Sequence, residues 1–210
     1  MHDHSDFEYT QHAEAESWNI EDPVIRKDKA SREVIRYPLL KKQMRLDYLD
    51  TSDMVVWDIG GGPLGGVSSI LNCKESVVIE PLTDEYKKYY PCSNYLNAKA
   101  EDLKEKLSTP DLIIITNALD HFDNPNAFLK DLGTYMKPGA YFAHVHAINN
   151  AFSHPHEAHA HNVNPQLFSI YLRADFETVW YQDFMNDGLT YGWRKQPAFS
   201  GLYRKVTGYE

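Results

Sequence analysis

This chain of 210 residues has few cysteines, no long apolar run and no excess of positive charge. Two cysteines, Cys73 and Cys92, are too few for a disulfide framework or a four-thiolate zinc site, so we expect a reducing, cytoplasmic location. The longest strongly apolar run, Leu112 to Ile115, is far shorter than the roughly 20 residues of a membrane-spanning helix. The polar start, Met1 to Asp6, also lacks the features of a secretory signal. We therefore expect no membrane partner.

The charge balance argues against nucleic acid as a partner. The chain has 21 Lys and Arg against 30 Asp and Glu, a net charge of -9. Binding to a phosphate backbone depends on cationic groups, and no basic run is present. We expect a small-molecule substrate, and the sequence indicates no oligomeric state.

The hydrophobic pattern predicts an α/β sheet. Short apolar runs that suit buried strands lie at residues 54–59, 76–80, 95–98, 111–116 and 140–146. Helical segments separate them, which is typical of βαβ units. Two more runs, 176–181 and 198–206, follow a helix at 165–172 with no helix between them, and this favours an antiparallel pair.

The first 50 residues predict helices that lie over the main domain. Apolar spacing between residues 31 and 49 suits a helix, and Pro38 is expected to break or restart it. We therefore divide the chain into an N-terminal helical lid, 1–50, and a main domain, 51–210.

A glycine-rich turn is the strongest motif. Gly60, Gly62 and Gly65 follow the run 55–59 with G-x-G-x-x-G spacing, and Glu80 ends the next strand about 20 residues later. Glycine lets a ligand approach the backbone, and a carboxylate at that distance can bind a ribose diol. The pattern predicts nucleoside binding.

The charge beside the turn narrows the class of nucleoside. Asp58 would repel a pyrophosphate and attract a cationic group, and Pro63 removes a donor N–H from the loop. This favours a nucleoside with a positive group over a nicotinamide cofactor. A nicotinamide-dependent oxidoreductase and a non-catalytic nucleoside- or metal-binding module remain the alternatives.

Several motifs in order resemble those of class I S-adenosylmethionine-dependent methyltransferases. D-I-G-G-G-P-L-G at 58–65 is similar to their first motif, V-V-I-E-P at 77–81 to the second and A-K-A-E-D-L at 98–103 to the third. The segments 111–121 and 136–142 resemble the fourth strand and the turn into the fifth. The resemblance covers about residues 50–149 and the remainder in outline. It implies a seven-stranded, mostly parallel Rossmann-like sheet with helices on both faces and an antiparallel C-terminal strand.

The resemblance also implies S-adenosylmethionine as cofactor and methyl transfer to a small molecule. In the matching positions, Glu80 would bind the ribose, and either Glu101 or Asp102 would contact the adenine; the motif does not choose between them. The expected cofactor-binding residues are Asp58, Gly60, Gly61, Gly62, Glu80, Pro81, Ala100, Glu101, Asp102, Asn117, Ala118 and Leu119.

Methyl transfer from a sulfonium is an in-line displacement, and a nucleophile that carries a proton needs a base. Histidine has a suitable pKa range. His121 follows the fourth strand, while His144 and His146 share one face of the fifth strand, opposite Val145. We expect His121 and His146 as the catalytic candidates, since His146 lies nearer the end of its strand.

A histidine-rich stretch follows the fifth strand. Imidazoles are ligands for zinc, iron or nickel, but the spacing here is not that of a metalloprotease helix. We expect that this stretch binds no metal. If it has a function, it is either a lid that contacts substrate or a metal site. The four histidines concerned are His154, His156, His159 and His161.

Overall fold

A seven-stranded sheet forms the centre of the protein in a computed structural model, which describes residues 6–103, 108–147, 161, 163–183 and 198–206. The strand order is β3-β2-β1-β4-β5-β7-β6. The strands are β1 Val55–Ile59, β2 Glu75–Ile79, β3 Tyr95–Leu96, β4 Leu112–Thr116, β5 Tyr141–Ala147, β6 Phe176–Asp183 and β7 Ala198–Lys205. The helices are α1 Asp6–Trp18, α2 Pro23–Gln43, α3 Thr83–Tyr86, α4 Pro125–Tyr135 and α5 Pro165–Leu172.

Strand β7 is the antiparallel member of the sheet. It pairs antiparallel with β5 on one side and β6 on the other, whereas β1 to β5 pair in parallel. The connection from β6 to β7, residues 184–197, lies outside the described residues, so the prediction that it contains no helix stays a prediction. The predicted fold class is confirmed.

The continuous apolar strands are explained by helices on both sheet faces. Side chains alternate along a strand, so Ile113 and Ile115 pack on one face with α4 and α5, and Ile114 packs on the other with α2. Both faces exclude water. The carboxyl ends of β1, β2 and β4 therefore open at one edge, where this class of sheet binds ligands.

The prediction that Pro38 breaks the N-terminal helix was wrong, because α2 continues to Gln43. A proline inside a helix costs about 3 kcal/mol through a lost hydrogen bond and a steric clash. Pro38 is on the exposed side, while Tyr37 and Leu40 are buried against the sheet. Burial of such side chains contributes about 1.5–3 kcal/mol each, which offsets the cost. The division of the chain at residue 50 stays a prediction, and these contacts make α2 part of the main core.

The glycine loop leads into two 3₁₀ turns, Gly62–Leu64 and Val67–Ile70. Pro63 and the positive φ angles of Gly65 and Gly66 prevent a regular α-helix here. In the described part of the chain, no helix has both the length and the apolar character needed to cross a membrane.

Candidate cofactor and acceptor site

Two glycines of the loop have backbone conformations that other residues rarely adopt. Gly60 has a φ of +70°, and a Cβ built there would lie 2.3 Å from the Cβ of Ala118. Gly62 has a φ of +63°, but a Cβ built there would meet no described atom within 4 Å. Gly60 is therefore required by packing, whereas Gly62 faces open space that a ligand can fill.

Glu80 connects the end of β2 to this loop. Its Oε2 accepts a hydrogen bond from the Gly62 N–H at 3.3 Å, and its Oε1 accepts one from the Leu82 N–H at 3.1 Å. Burial raises the pKa of Glu80 to about 7; the nearby Glu14 raises it further, and the backbone hydrogen bonds oppose the shift. The carboxylate is thus held in place, with capacity for further donors such as ribose hydroxyls.

Tyr95, on β3, holds the loop in place through its hydroxyl group. The sequence motifs did not identify this residue as part of the site. Its hydroxyl accepts from the Gly65 N–H and donates to the Gly62 carbonyl, both at 2.6 Å. No spacing in the sequence relates residue 95 to the glycines. The contact exists because β3 is the edge strand beside β2.

Asp58 lies behind the loop and lines neither of the two cavities at this edge of the sheet. The side chain is fully buried, and its Oδ2 accepts from the Ser68 N–H at 2.7 Å. Burial raises its pKa to about 7, and the Ser68 hydrogen bonds oppose the shift. In this position Asp58 holds the turn after the glycines. Direct contact with a cationic ligand stays a prediction.

A cavity opens beyond the carboxyl ends of β1, β2 and β4. Eight of the predicted cofactor residues line it: Gly60, Gly62, Glu80, Pro81, Ala100, Glu101, Asn117 and Ala118. Glu101 faces this cofactor cavity, whereas Asp102 is exposed and Leu119 is buried in the core. Of the two acids that the motif left open, the structure thus brings Glu101 to the cavity.

Helix α1 contributes side chains to the cofactor cavity that sequence reasoning did not identify. Gln11 and Glu14 line it, and the Gln11 amide donates to the His121 carbonyl at 3.4 Å. Neither belongs to a recognisable motif. Their position follows from how α1 lies across the sheet edge, near α3 and the turn 119–121.

A second cavity of about 270 Å³ adjoins the first, under α1 and α2. Gly61 and Thr116 line it, with Tyr37 and Leu40 from α2. Five residues line both cavities, and we call them the junction: Glu14, Gly60, Gly62, Asn117 and His121. A ligand in the first cavity and a ligand in the second would therefore be in contact at the junction.

Asn117 shapes the junction through its backbone. It has a φ of +52°, in the left-handed region where asparagine is tolerated better than most residues. Its N–H donates to the Val145 carbonyl at 2.9 Å, and its Oδ1 accepts from the Ala147 N–H at 3.0 Å. These bonds turn the chain sharply at the end of β4 and direct Ala118 toward Gly60.

The two predicted catalytic histidines both lie near Asp120. His121 lines the junction, and its Nε2 is 3.7 Å from the Asp120 carboxylate. His146 is fully buried; burial lowers its pKa to about 4, Asp120 opposes that shift, and His121 adds to it. His146 does not line either cavity. Its catalytic role stays a prediction, as does that of His121.

The histidine-rich stretch is largely outside this description. His154, His156 and His159 lie among residues that the structure does not describe, and His161 is half-buried. Within the described ranges, no group of three or more His, Cys, Asp or Glu is arranged to hold a metal.

Substituting Gly62 with alanine is expected to block the cofactor cavity without unfolding the protein. The added methyl enters open space, so the folding cost is limited to the strained φ, about 1–2 kcal/mol. Isothermal titration with S-adenosylhomocysteine should show at least about 10-fold weaker binding. The matched change, Gly60→Ala, should mainly lower the melting temperature because of its clash with Ala118. Full affinity in Gly62→Ala would contradict this placement of the ligand.

The fold and the site together define a nucleoside-binding α/β protein with a second cavity beside the first. A family model for a methyltransferase domain matches residues 32–195. The chain belongs to this methyltransferase family, and it is an S-adenosylmethionine-dependent enzyme. The open cradle at Gly62 and the buried carboxylate of Glu80 fit an adenosine.

Solved structures share the fold at low sequence identity. The N-methyltransferase NodS from Bradyrhizobium japonicum WM9, in complex with S-adenosyl-L-homocysteine, is 13% identical, with a TM-score of 0.66 over 95% of this chain and 100% of that one. The plantazolicin methyltransferase BpumL, also with this product, is 17% identical, with a TM-score of 0.57 over 94% and 96%. The [4+2]-cyclase SpnF is 13% identical, with a TM-score of 0.60 over 82% and 80%. No curated protein matches the sequence.

Proposed function

We propose that this methyltransferase acts on a small molecule that binds in the second cavity. The observation that carries the proposal is the junction, where five residues line both cavities. The second cavity's volume of about 270 Å³ is near the lower end of the roughly 300–1,000 Å³ range of small-molecule pockets. Helices α1 and α2 supply its outer wall. The net charge of -9 also makes a polyanionic acceptor unfavourable.

The loop supports a sulfonium nucleoside over a pyrophosphate cofactor. A pyrophosphate is bound well by the N-terminus of an α-helix, and 3₁₀ turns follow the glycines here instead. Three acids, Glu14, Glu80 and Glu101, line the cofactor cavity with one base, Lys99, which pairs with Asp123. The excess of acids favours a cationic ligand and repels phosphates.

S-adenosylmethionine supplies an activated methyl group on a positively charged sulfur. The residues of this chain have to hold the acceptor in line with that group and remove water. His121 is the titratable imidazole at the junction, and Asp120 beside it can orient the ring. We propose that His121 takes up the proton that the methyl acceptor loses. We propose His146, which is buried near Asp120, as a positioning residue.

Titration calorimetry with S-adenosylhomocysteine and with NAD, followed by transfer of a labelled methyl group to small-molecule acceptors, tests the proposal. We expect binding of the first ligand and little binding of the second. The variant His121→Gln should lower kcat by about 100-fold or more, the usual contribution of a general base, while binding of the product changes little. Tighter binding of NAD, or a full kcat in His121→Gln across pH, would contradict the proposal.

A further inference from the structure

Glu14 is an acid placed where the two cavities meet. It lies on α1, is half-buried and lines both the cofactor cavity and the second cavity. One carboxylate oxygen accepts a hydrogen bond from the indole Nε1 of Trp18 at 2.8 Å. Within the described residues no cation pairs with this carboxylate. Its charge is therefore available to a ligand.

The other charges of the second cavity are engaged with each other or with the backbone. Arg36 forms a buried ion pair with Glu33 one turn earlier on α2. The Lys29 ammonium donates to the Ser17 carbonyl at 2.6 Å and lies 4.0 Å from the Trp18 ring centroid. These contacts leave Glu14 as the acid at the junction that can receive a cationic group.

The electrostatic surroundings of Glu14 select among acceptor classes. Glu80 lies close enough that Glu14 raises its pKa, and Glu101 lines the same cavity. Two cations, Lys29 and Arg36, also line the second cavity, but Arg36 is ion-paired and Lys29 donates to a backbone carbonyl. At the junction itself the carboxylates therefore disfavour a carboxylate or phosphate on the reacting group and raise the cost of forming an alkoxide. An ammonium or an amine N–H gains a charge-assisted hydrogen bond instead.

We infer that Glu14 binds the reacting nitrogen of the acceptor, so the substrate of this enzyme is an amine. The inference rests on the proposed function of the second cavity. A nitrogen held at the junction loses one proton to His121 or to solvent, which leaves a lone pair. That lone pair forms the bond to the methyl carbon, the electron pair of the carbon–sulfur bond stays on sulfur, and the positive charge moves to nitrogen.

The analogue sinefungin tests Glu14 without knowledge of the acceptor. In sinefungin, a carbon that carries an ammonium group replaces the sulfur and its methyl, so the ammonium occupies the direction of transfer. We expect the wild-type protein to bind sinefungin about 10-fold to 100-fold more tightly than S-adenosylhomocysteine, the contribution of one charge-assisted hydrogen bond. Glu14→Gln, which keeps an acceptor for Trp18, should remove most of this preference and leave binding of S-adenosylhomocysteine nearly unchanged.

Glu16→Gln is the matched control, because Glu16 lies on the same helix, is exposed and pairs with His12 at 3.3 Å. This variant should keep the preference for sinefungin. Equal weakening of both ligands in Glu14→Gln would place Glu14 at the nucleoside and overturn the inference. An unchanged preference would overturn it as well. If the wild-type protein binds neither ligand, the proposed function itself fails.

The amine class is tested by blocking amines chemically. A small-molecule cell extract, with or without prior acetylation of its amines, is incubated with the enzyme and S-adenosylmethionine labelled on the methyl group. We expect label in the untreated extract and at least a 10-fold loss after acetylation. Equal labelling of both extracts would overturn the amine assignment. An absence of label in both counts against the proposed methyl transfer, so the two failures are distinguishable.

Discussion

Replacing Glu80 with alanine should weaken binding of S-adenosylhomocysteine by at least about 100-fold. Two charge-assisted hydrogen bonds to a ribose diol contribute about 1.5–3 kcal/mol each before compensation, and both disappear. The change also releases the Gly62 and Leu82 N–H groups that the carboxylate now holds. Calorimetry on the folded variant measures the effect. Glu75→Gln, at the exposed start of the same strand, is the control and should bind normally.

The pH dependence of this affinity has a defined sign. The pKa of Glu80 is raised to about 7 in the free protein, mainly by burial. Ribose hydroxyls donate best to the ionised form, so affinity should fall as pH decreases through about 7. Glu80→Gln should bind more weakly at pH 8 and show a flatter profile. A wild-type affinity that rises on acidification would contradict this role of Glu80.

Replacing His144 with phenylalanine should make the protein more resistant to acid. His144 is fully buried and stacks on Phe168 with ring centroids 3.9 Å apart. Both ring nitrogens lack a hydrogen-bond partner among the described residues, and burial holds its pKa well below the usual range. His146 beside it has its pKa lowered to about 4, again mainly by burial. Protonation of either ring places a charge in an aromatic cluster.

The sign of the histidine effect follows from linkage. A histidine whose pKa is lowered on folding binds fewer protons when folded, so its stability contribution is lost as pH falls below about 6.5. For His146 the loss reaches about 3 kcal/mol by pH 4. Asp58 and Glu80 act in the opposite direction, because burial raises their pKa values. The quantity to measure is therefore the difference in the free energy of unfolding between the variant and the wild-type protein at each pH.

Urea unfolding from pH 8 to pH 4.5 measures that difference. The stability of His144→Phe relative to wild type should rise as pH falls, and the double variant with His146→Phe should rise more. Parallel pH profiles for wild type and the double variant would contradict the burial of two neutral imidazoles.

The cyclase among the structural neighbours shows why the site has to carry the functional argument. SpnF shares the fold with a TM-score of 0.60, yet it is a cyclase. In this chain, the second cavity and the residues at the junction support the proposed methyl transfer to a small molecule. Glu14 and His121 are the side chains there with the relevant chemistry.

Local patterns determined the sheet, the glycine loop and most of the cofactor cavity. Strand periodicity predicted the strands because each strand buries both faces, and glycine spacing predicted the loop because positive φ angles select that residue. Glu80 follows from the same logic, since the carboxyl ends of adjacent parallel strands meet at one edge. These features depend on residues that are close in sequence or on neighbouring strands.

Tertiary packing decided the rest. Tyr95 reaches Gly62 and Gly65 across an edge strand, and Glu14 reaches the junction from a helix more than 40 residues before the glycines. Asp58 and His146 lie at the expected strand positions, but both side chains are fully buried and line neither cavity. Sequence spacing gives the face of a strand; only the packing of distant elements determines whether that face meets a core or a ligand.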